Sequence, residues 1–350
     1  MPSQRAHIAG LDIVRGVAIG LVMLRHAAPD VFDGAGIVGV VMFFALSGYL
    51  ITGTLMNSIE RSGRVNYRRF YTNRALRLLP AMITMLLIFV IVEVAIGPTG
   101  GITKLIVGAV VGGLYLQDLL PMLAYPGINH LWTLAVEEQF YLVWPAFLVF
   151  LVRRRALANG LRFAVLALLG ICALTVIAAG ALRDVGVIYP LPTTWAVALV
   201  LGGSAYIHRE RLVRTRASIP LALGAGLVLV AFSLMPDAKN HAVTYLLGGG
   251  LIAICTIAIM AVVRTWQVSP SRLLEPLRAL GVVSYGAYLW NGPATHWTVD
   301  VLGLSGWIAI PLTIFLATAS WWLIEKRFLA LKDRIAARAV EQQNNEAARA

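Results

Sequence analysis

The sequence predicts an all-α, polytopic membrane protein of about ten transmembrane helices. Three observations carry this. Hydrophobic residues make up 59% of the 350-residue chain and charged residues only 13%, against roughly 25% charged in soluble domains. The apolar residues gather into blocks long enough to cross hydrocarbon as helices. The arginines gather in the joints between those blocks, which is how membrane proteins set their orientation.

Mean hydropathy of +0.78 excludes an ordinary soluble enzyme. A net charge of +12 would suit nucleic acid, but the placement of the arginines in the joints favours topology over nucleic-acid binding. The two cysteines, Cys172 and Cys255, lie inside apolar blocks. They read as small packing residues, with neither a disulfide framework nor metal-ligand spacing, so no metal is expected.

Eleven blocks follow in order: about 10–28, 38–56, 78–96, 104–120, 137–152, 163–181, 190–206, 219–235, 243–263, 280–300 and 306–324. The first is long and lacks a small-residue cleavage site, so it reads as a span rather than a signal peptide. Arg61, Arg64, Arg68, Arg69, Arg74 and Arg77 follow the second block. Arg153, Arg154, Arg155 and Arg162 follow the fifth, and Arg209, Arg211, Arg214 and Arg216 the seventh. Arg264, Arg272 and Arg278 follow the ninth, and Lys326, Arg327, Lys332 and Arg334 the last. With the N-terminus inside, every basic joint is cytoplasmic only if one of the first five blocks does not cross. The fourth is the weakest, since it holds Gly108, Gly112, Gly113, Gln117 and Asp118. The expectation is therefore ten crossings, a re-entrant or peripheral segment near 104–120, and cytoplasmic N- and C-termini. Non-helical backbone at membrane depth must be enclosed by protein or a cavity, which makes this segment a candidate wall of a site. Residues 1–324 form a single transmembrane domain, and 325–350 a charged cytoplasmic tail.

Ionisable residues inside apolar blocks are costly and mark candidate function. The first block, LDIVRGVAIGLVMLRH, holds Asp12, Arg15, Arg25 and His26. Arg15 and His26 are eleven residues apart, just over three turns, so they share a face about 16 Å apart along the axis. Asp12 can pair with Arg15 one turn away. One reading lets the arginines snorkel to the interfaces around a buried histidine. The other is a polar track with an anion site inside and a base further out, which the Asp–Arg–His alignment favours. Ser47 and Gly48 in VVMFFALSGYLIT either pack helices closely or leave a gap beside His26, and packing is favoured for Gly48. Arg74 and Arg77 share a face and could clamp a phosphorylated ligand, with Pro80 in the first turn of the next helix. In NHLWTLAVEEQFYLVWP, Glu137, Phe140 and Tyr141 share a face, Glu138 points elsewhere, and His130, Trp132 and Thr133 crowd the same stretch near the outer interface. Asn291, at the polar end of LGVVSYGAYLWNGP, needs a partner. Glu325 in WWLIEKRF reads as a cytoplasmic anchor.

These stretches together resemble the acyltransferase-3 family of integral membrane O-acyltransferases. The resemblance runs nearly end to end through LDIVRG with Arg15 and His26, FFALSGYLI, RALRLLP, WTLAVEEQFYLVWP, SYGAYLW and IEKRF. It implies transfer of an acyl group, often acetyl, from cytoplasmic acyl-CoA as co-substrate, with no bound cofactor. The implied acceptor is a hydroxyl of a cell-envelope polysaccharide, another glycan or a macrolide-like glycosylated metabolite. It implies essential roles for His26, Arg15, Arg74 and Arg77, and singles out Glu137 as the characteristic glutamate. Two departures stand out. Asn291 occupies a position where the family often has histidine, and Arg327 one where it has proline. The chain also stops without the extracytoplasmic domain some relatives carry, so a separate extracytoplasmic partner would supply any second transfer.

The expected mechanism places the donor's phosphates on Arg15, Arg74 and Arg77, with His26 as general base on the acceptor hydroxyl. Glu137 would orient the imidazole or the acceptor. Ser47, Tyr141 and Asn291 are candidate oxyanion or substrate contacts, and Arg25 a candidate acceptor contact. Direct transfer and an acyl-histidine intermediate both remain open. The competing class is a transporter or flippase of a lipid-linked glycan or acyl group, which intramembrane charges also suit. The absence of an inverted repeat between the halves weighs against it. A third class is an acyl-CoA-binding scaffold that has lost catalysis. The expected location is the inner or plasma membrane.

Overall fold

In a computed structural model of the protein, residues 8–181, 184–212 and 218–335 are described. Among them every regular element is helical and no strand occurs. Thirteen α-helices run in order: α1 Ala9–Ala27, α2 Ala35–Ser62, α3 Tyr67–Ile96, α4 Ile102–Gly113, α5 Trp132–Arg153, α6 Leu157–Ala181 and α7 Pro192–Ile207. They continue with α8 Arg209–Leu212, α9 Ser218–Ser233, α10 Gly249–Val263, α11 Glu275–Val282, α12 Ser284–Thr295 and α13 Ala309–Ser320. Short π-helical runs precede α10 and follow α12 and α13.

Ten of the eleven apolar blocks fall on helix, and the fourth is helical only as far as Gly113. Six continuous helical stretches have the length and apolarity to cross a membrane: Ala35–Ser62, Tyr67–Ile96, Asn129–Arg153, Leu157–Ala181, Thr244–Val263 and Gly306–Ile335. The other blocks fall short for stated reasons. Helix α1 spans 19 residues but holds Asp12, Arg15 and Arg25. Helices α7 and α9 have 16 residues each. The tenth block is broken between α11 and α12 at Val283.

The exterior is strongly apolar. Leu87 and Ile91 on α3, Leu166 and Leu174 on α6, Leu227 on α9 and Phe315 on α13 all point outward. A surface this apolar fits lipid rather than water. Inside, α1 is held on three sides by close helix contacts. Its Gly10 meets Val263 of α10 and its Gly16 meets Leu277 and Gly281 of α11, while Gly39 of α2 meets Ala18 and Val22. On the other face of α2, a Cβ at Gly48 would collide with the Leu199 carbonyl of α7, so Gly48 packs helices as favoured from the sequence.

Three local expectations are corrected. The basic stretch 57–77 is not a long loop: α2 runs to Ser62, Gly63 closes it at φ 67°, and α3 starts at Tyr67. Asn66 caps α3 by accepting from the Arg69 amide at 2.9 Å, so a polar turn extends the helix beyond its apolar part. Pro80 therefore lies inside α3, not in a first turn. Glu325 is no surface anchor. It is 6% exposed, accepts from Ser320 at 3.3 Å and faces Gly286 of α12. The helix around it continues to residue 335. Of the expected tail, residues 336–350 lie outside the described residues, as do Arg214 and Arg216.

The weak fourth block holds a shorter helix than the blocks on either side of it. Helix α4 is only 12 residues long. It runs back along α3 until Gly113 faces Leu86. The chain then returns, and the Tyr125 hydroxyl donates to Glu93 at 2.8 Å, two turns nearer the end of α3. Buried Glu93 also accepts from the Trp297 indole at 3.0 Å. A dry cluster of Met85, Phe89, Leu105, Tyr125, Ile128 and Leu131 fills the space between.

Candidate active site

A cavity of about 130 Å³ opens where α1, α2, α3, α5 and α12 converge. Arg15, Ser47, Arg74, Arg77, Glu137 and Tyr141 line it, so six of the ten expected site residues meet in one place. The helix register explains this. Gly36 abuts the Arg25 side chain and Gly39 abuts Ala18 and Val22, so α1 and α2 run antiparallel and Ser47 falls at the Arg15 end. Helices α3 and α5 are also antiparallel here: Tyr71 donates to the Tyr141 and Leu142 carbonyls, and Arg74 meets Glu138.

The three guanidinium groups differ in their partners. Arg15 pairs with Asp12 at 3.0 Å, as the one-turn spacing predicts. Arg74 Nε donates to Glu138 at 2.9 Å, and its guanidinium lies 3.1 Å from the centre of the Tyr141 ring. Arg77 is exposed to the cavity and forms no ion pair among the described residues. Its charged neighbours are Arg15 and Arg74, and Glu325 is the carboxylate that acts on it. Three cations around one cavity attract a polyanion, and a planar guanidinium matches phosphate by paired N–H groups.

Glu137 accepts from Ser47 Oγ at 2.8 Å. It therefore sits at the Arg15 end of the site rather than beside His26. Glu138 does not point away from the site either, because it holds Arg74. The cause is the start of α5 at Trp132, which puts both glutamates in its second turn rather than at its tip.

His26 does not line this cavity. It lies at the other end of α1, within hydrogen-bonding reach of the Asn291 side chain on α12. Asn291 is 2% exposed and donates to Thr313 at 3.3 Å. Arg25, next to His26, pairs with Asp33 at 2.8 Å, and Asp33 also accepts from the Ala238 amide at 2.9 Å. Arg25 thus ties the α1–α2 turn to the segment before α10. Nearby Lys239 stacks on Tyr189, 4.3 Å from the ring centre. Burial, reinforced by Arg25, lowers the pKa of Lys239 from the usual lysine range.

One residue was not singled out as a site residue from the sequence. His130 stands within electrostatic reach of His26, just before α5. Its carbonyl receives the Tyr288 hydroxyl at 2.9 Å, and the Thr133 and Tyr288 hydroxyls lie 2.5 Å apart. Thr133 and Tyr288 also line the cavity, so they form the wall between the arginines and the two imidazoles. A signal existed: His130 precedes Glu137 by seven residues, which is close to two turns.

Among the described residues no cluster of three His, Cys, Asp or Glu side chains could hold a metal ion.

A family model described as an acyltransferase domain matches residues 8–326. The peptidoglycan O-acetyltransferase OatA of Listeria monocytogenes is 30% identical over 92% of this chain and 56% of its own length. The putative peptidoglycan O-acetyltransferase YrhL of Bacillus subtilis is 29% identical over 91% of this chain and 54% of its own. The O-acetyltransferase OatA of Staphylococcus aureus is 26% identical over 82% and 50%. The chain thus spans about half the length of these curated relatives. No solved structure matches it.

Proposed function

The chain belongs to the acyltransferase-3 family, and from that premise we propose that it transfers an acetyl group from cytoplasmic acetyl-CoA to a hydroxyl of a cell-envelope glycan. The observation that carries the reading is the cavity ringed by Arg15, Arg74 and Arg77, in which Arg77 has no ion pair among the described residues. A polyanionic donor would bind there by its phosphates. The pantetheine arm would then run along α1 past Thr133 and Tyr288 toward His26, about 16 Å away along the helix. His26 would take the proton of the acceptor hydroxyl as general base. Glu137, held by Ser47, would orient the donor beside Arg15 and Arg77. Relatives named as peptidoglycan O-acetyltransferases support a glycan acceptor.

On this reading the eleven blocks make ten crossings. Helix α4 dips in beside α3 and returns, which brings every basic joint and both termini to the cytoplasm of an inner or plasma membrane. Residues 1–324 act as the transferase unit. A separate extracytoplasmic transferase could receive the group.

Purified protein in detergent, supplied with radiolabelled acetyl-CoA and chitopentaose, should label the saccharide. His26→Ala should abolish labelling, and unchanged transfer by this variant would refute the scheme. A transporter or flippase would give no labelling in a preparation without compartments, so the same assay separates the two classes.

A further inference from the structure

The arginine cavity accounts for the donor, but it leaves unexplained a group of buried polar atoms at the other end of α1. His26 Nδ1, both ring nitrogens of His130 and Asn291 Oδ1 are all buried without a hydrogen-bond partner. Buried polar atoms left unpaired cost about 1–3 kcal/mol each, and most proteins avoid them. Four such atoms on three neighbouring side chains need a common explanation. Both histidines are half-buried as residues.

The three side chains come from three elements that are held firmly. His26 ends α1. Asn291 is fixed on α12 by Thr313 at 3.3 Å. His130 is anchored by its carbonyl, which receives Tyr288, and its ring packs edge-on to Tyr288 at 5.4 Å between centres. A side chain at Gly292, next to Asn291, would collide with the His130 ring. The close approach of α12 to His130 therefore depends on that glycine. The rings are placed by these contacts, with His26 and Asn291 within hydrogen-bonding reach of each other, while none of the four atoms makes a well-formed hydrogen bond.

We propose that His26, His130 and Asn291 form the site of the acceptor hydroxyl, with His130 as the second imidazole of the reaction. This rests on the transferase reading above. A sugar hydroxyl both donates and accepts, and two neutral imidazoles plus a carboxamide offer both kinds of partner. The hydroxyl oxygen attacks the thioester carbonyl carbon, a C–O bond forms and the C–S bond breaks. The hydroxyl proton passes to one imidazole and from there to the leaving thiolate, so no further reactant is needed. His130 holds the hydroxyl's lone pair or relays its proton.

The test uses the full chain in nanodiscs, acetyl-CoA as donor and chitopentaose as acceptor. His130→Gln should lower kcat/KM for chitopentaose by about 10- to 100-fold, within the range of a positioned acid or base. The KM for acetyl-CoA should not change, because the arginine cavity is untouched. A merely structural role would not give this split. His130→Asn should lose activity similarly, and His130→Asn combined with Asn291→His should recover a large part of it by supplying the imidazole from the facing helix. An unchanged kcat/KM for chitopentaose in His130→Gln overturns this proposal alone. Equal losses toward donor and acceptor, with no recovery in the double variant, also overturn it. No transfer by the unsubstituted protein overturns the transferase reading, and this proposal with it.

Discussion

Arg77→Gln separates the donor's charge clamp from the rest of the site. Arg77 lines the cavity and forms no ion pair among the described residues, so its removal breaks no ion pair and only weakens a longer-range attraction to Glu325. It also relieves repulsion from Arg15 and Arg74, the cations that act on it. Folding stability should therefore hold or rise slightly, with the melting temperature in detergent unchanged or higher. A charge-assisted hydrogen bond to phosphate contributes about 1.5–3 kcal/mol, and each 1.4 kcal/mol is about ten-fold in affinity. The KM for acetyl-CoA should rise about 10- to 150-fold while kcat at saturation changes little. Arg77→Lys should recover part of the loss, because it keeps the charge without the planar fork. The assay is CoA release at varied acetyl-CoA, at two salt concentrations, since a lost phosphate contact also weakens the salt dependence. An unchanged KM in Arg77→Gln, or a fall confined to kcat, would refute phosphate recognition at this residue.

Three further outcomes follow from specific contacts. Ser47→Ala removes the 2.8 Å bond to Glu137 and should cost about 1–3 kcal/mol in transition-state or folding free energy, which kcat and melting temperature together would apportion. Gly48→Ala forces α2 away from the Leu199 carbonyl, and overpacking of this kind should destabilise by about 1–3 kcal/mol, read as a lower melting temperature. Glu93→Gln leaves only one acceptor for the Tyr125 hydroxyl and the Trp297 indole, which now bond both carboxylate oxygens. Hydrogen exchange over residues 97–131 should accelerate by about 5- to 150-fold for a loss of about 1–3 kcal/mol.

The fold was legible because apolar blocks and arginine-rich joints are direct physical requirements of a membrane. The sequence could not show helix ends, because hydropathy marks what needs hydrocarbon and not where hydrogen bonding stops. That is why the helical turns before Pro80 were missed. The site was legible where spacing along one helix sufficed: Asp12 does meet Arg15. It was not legible where register between helices decides the outcome. Glu137 joined Ser47 rather than His26 because of where α5 begins. His130 reached His26 only through the close packing of α12 at Gly292.

Helix α1 works as a ruler. Backbone contacts at Gly10 and Gly16, and from Gly39 of α2, clamp it against three neighbours, so it has little freedom to slide or bend. The interval between Arg15 and His26 is then set by helical pitch alone. Inserting one alanine between them would turn His26 by about 100° and carry it about 1.5 Å further along the axis. Every side chain in the site would be intact, yet its two ends would face different directions. What must stay constant in such a protein is a distance counted in residues, and this is the kind of information a bare sequence carries best.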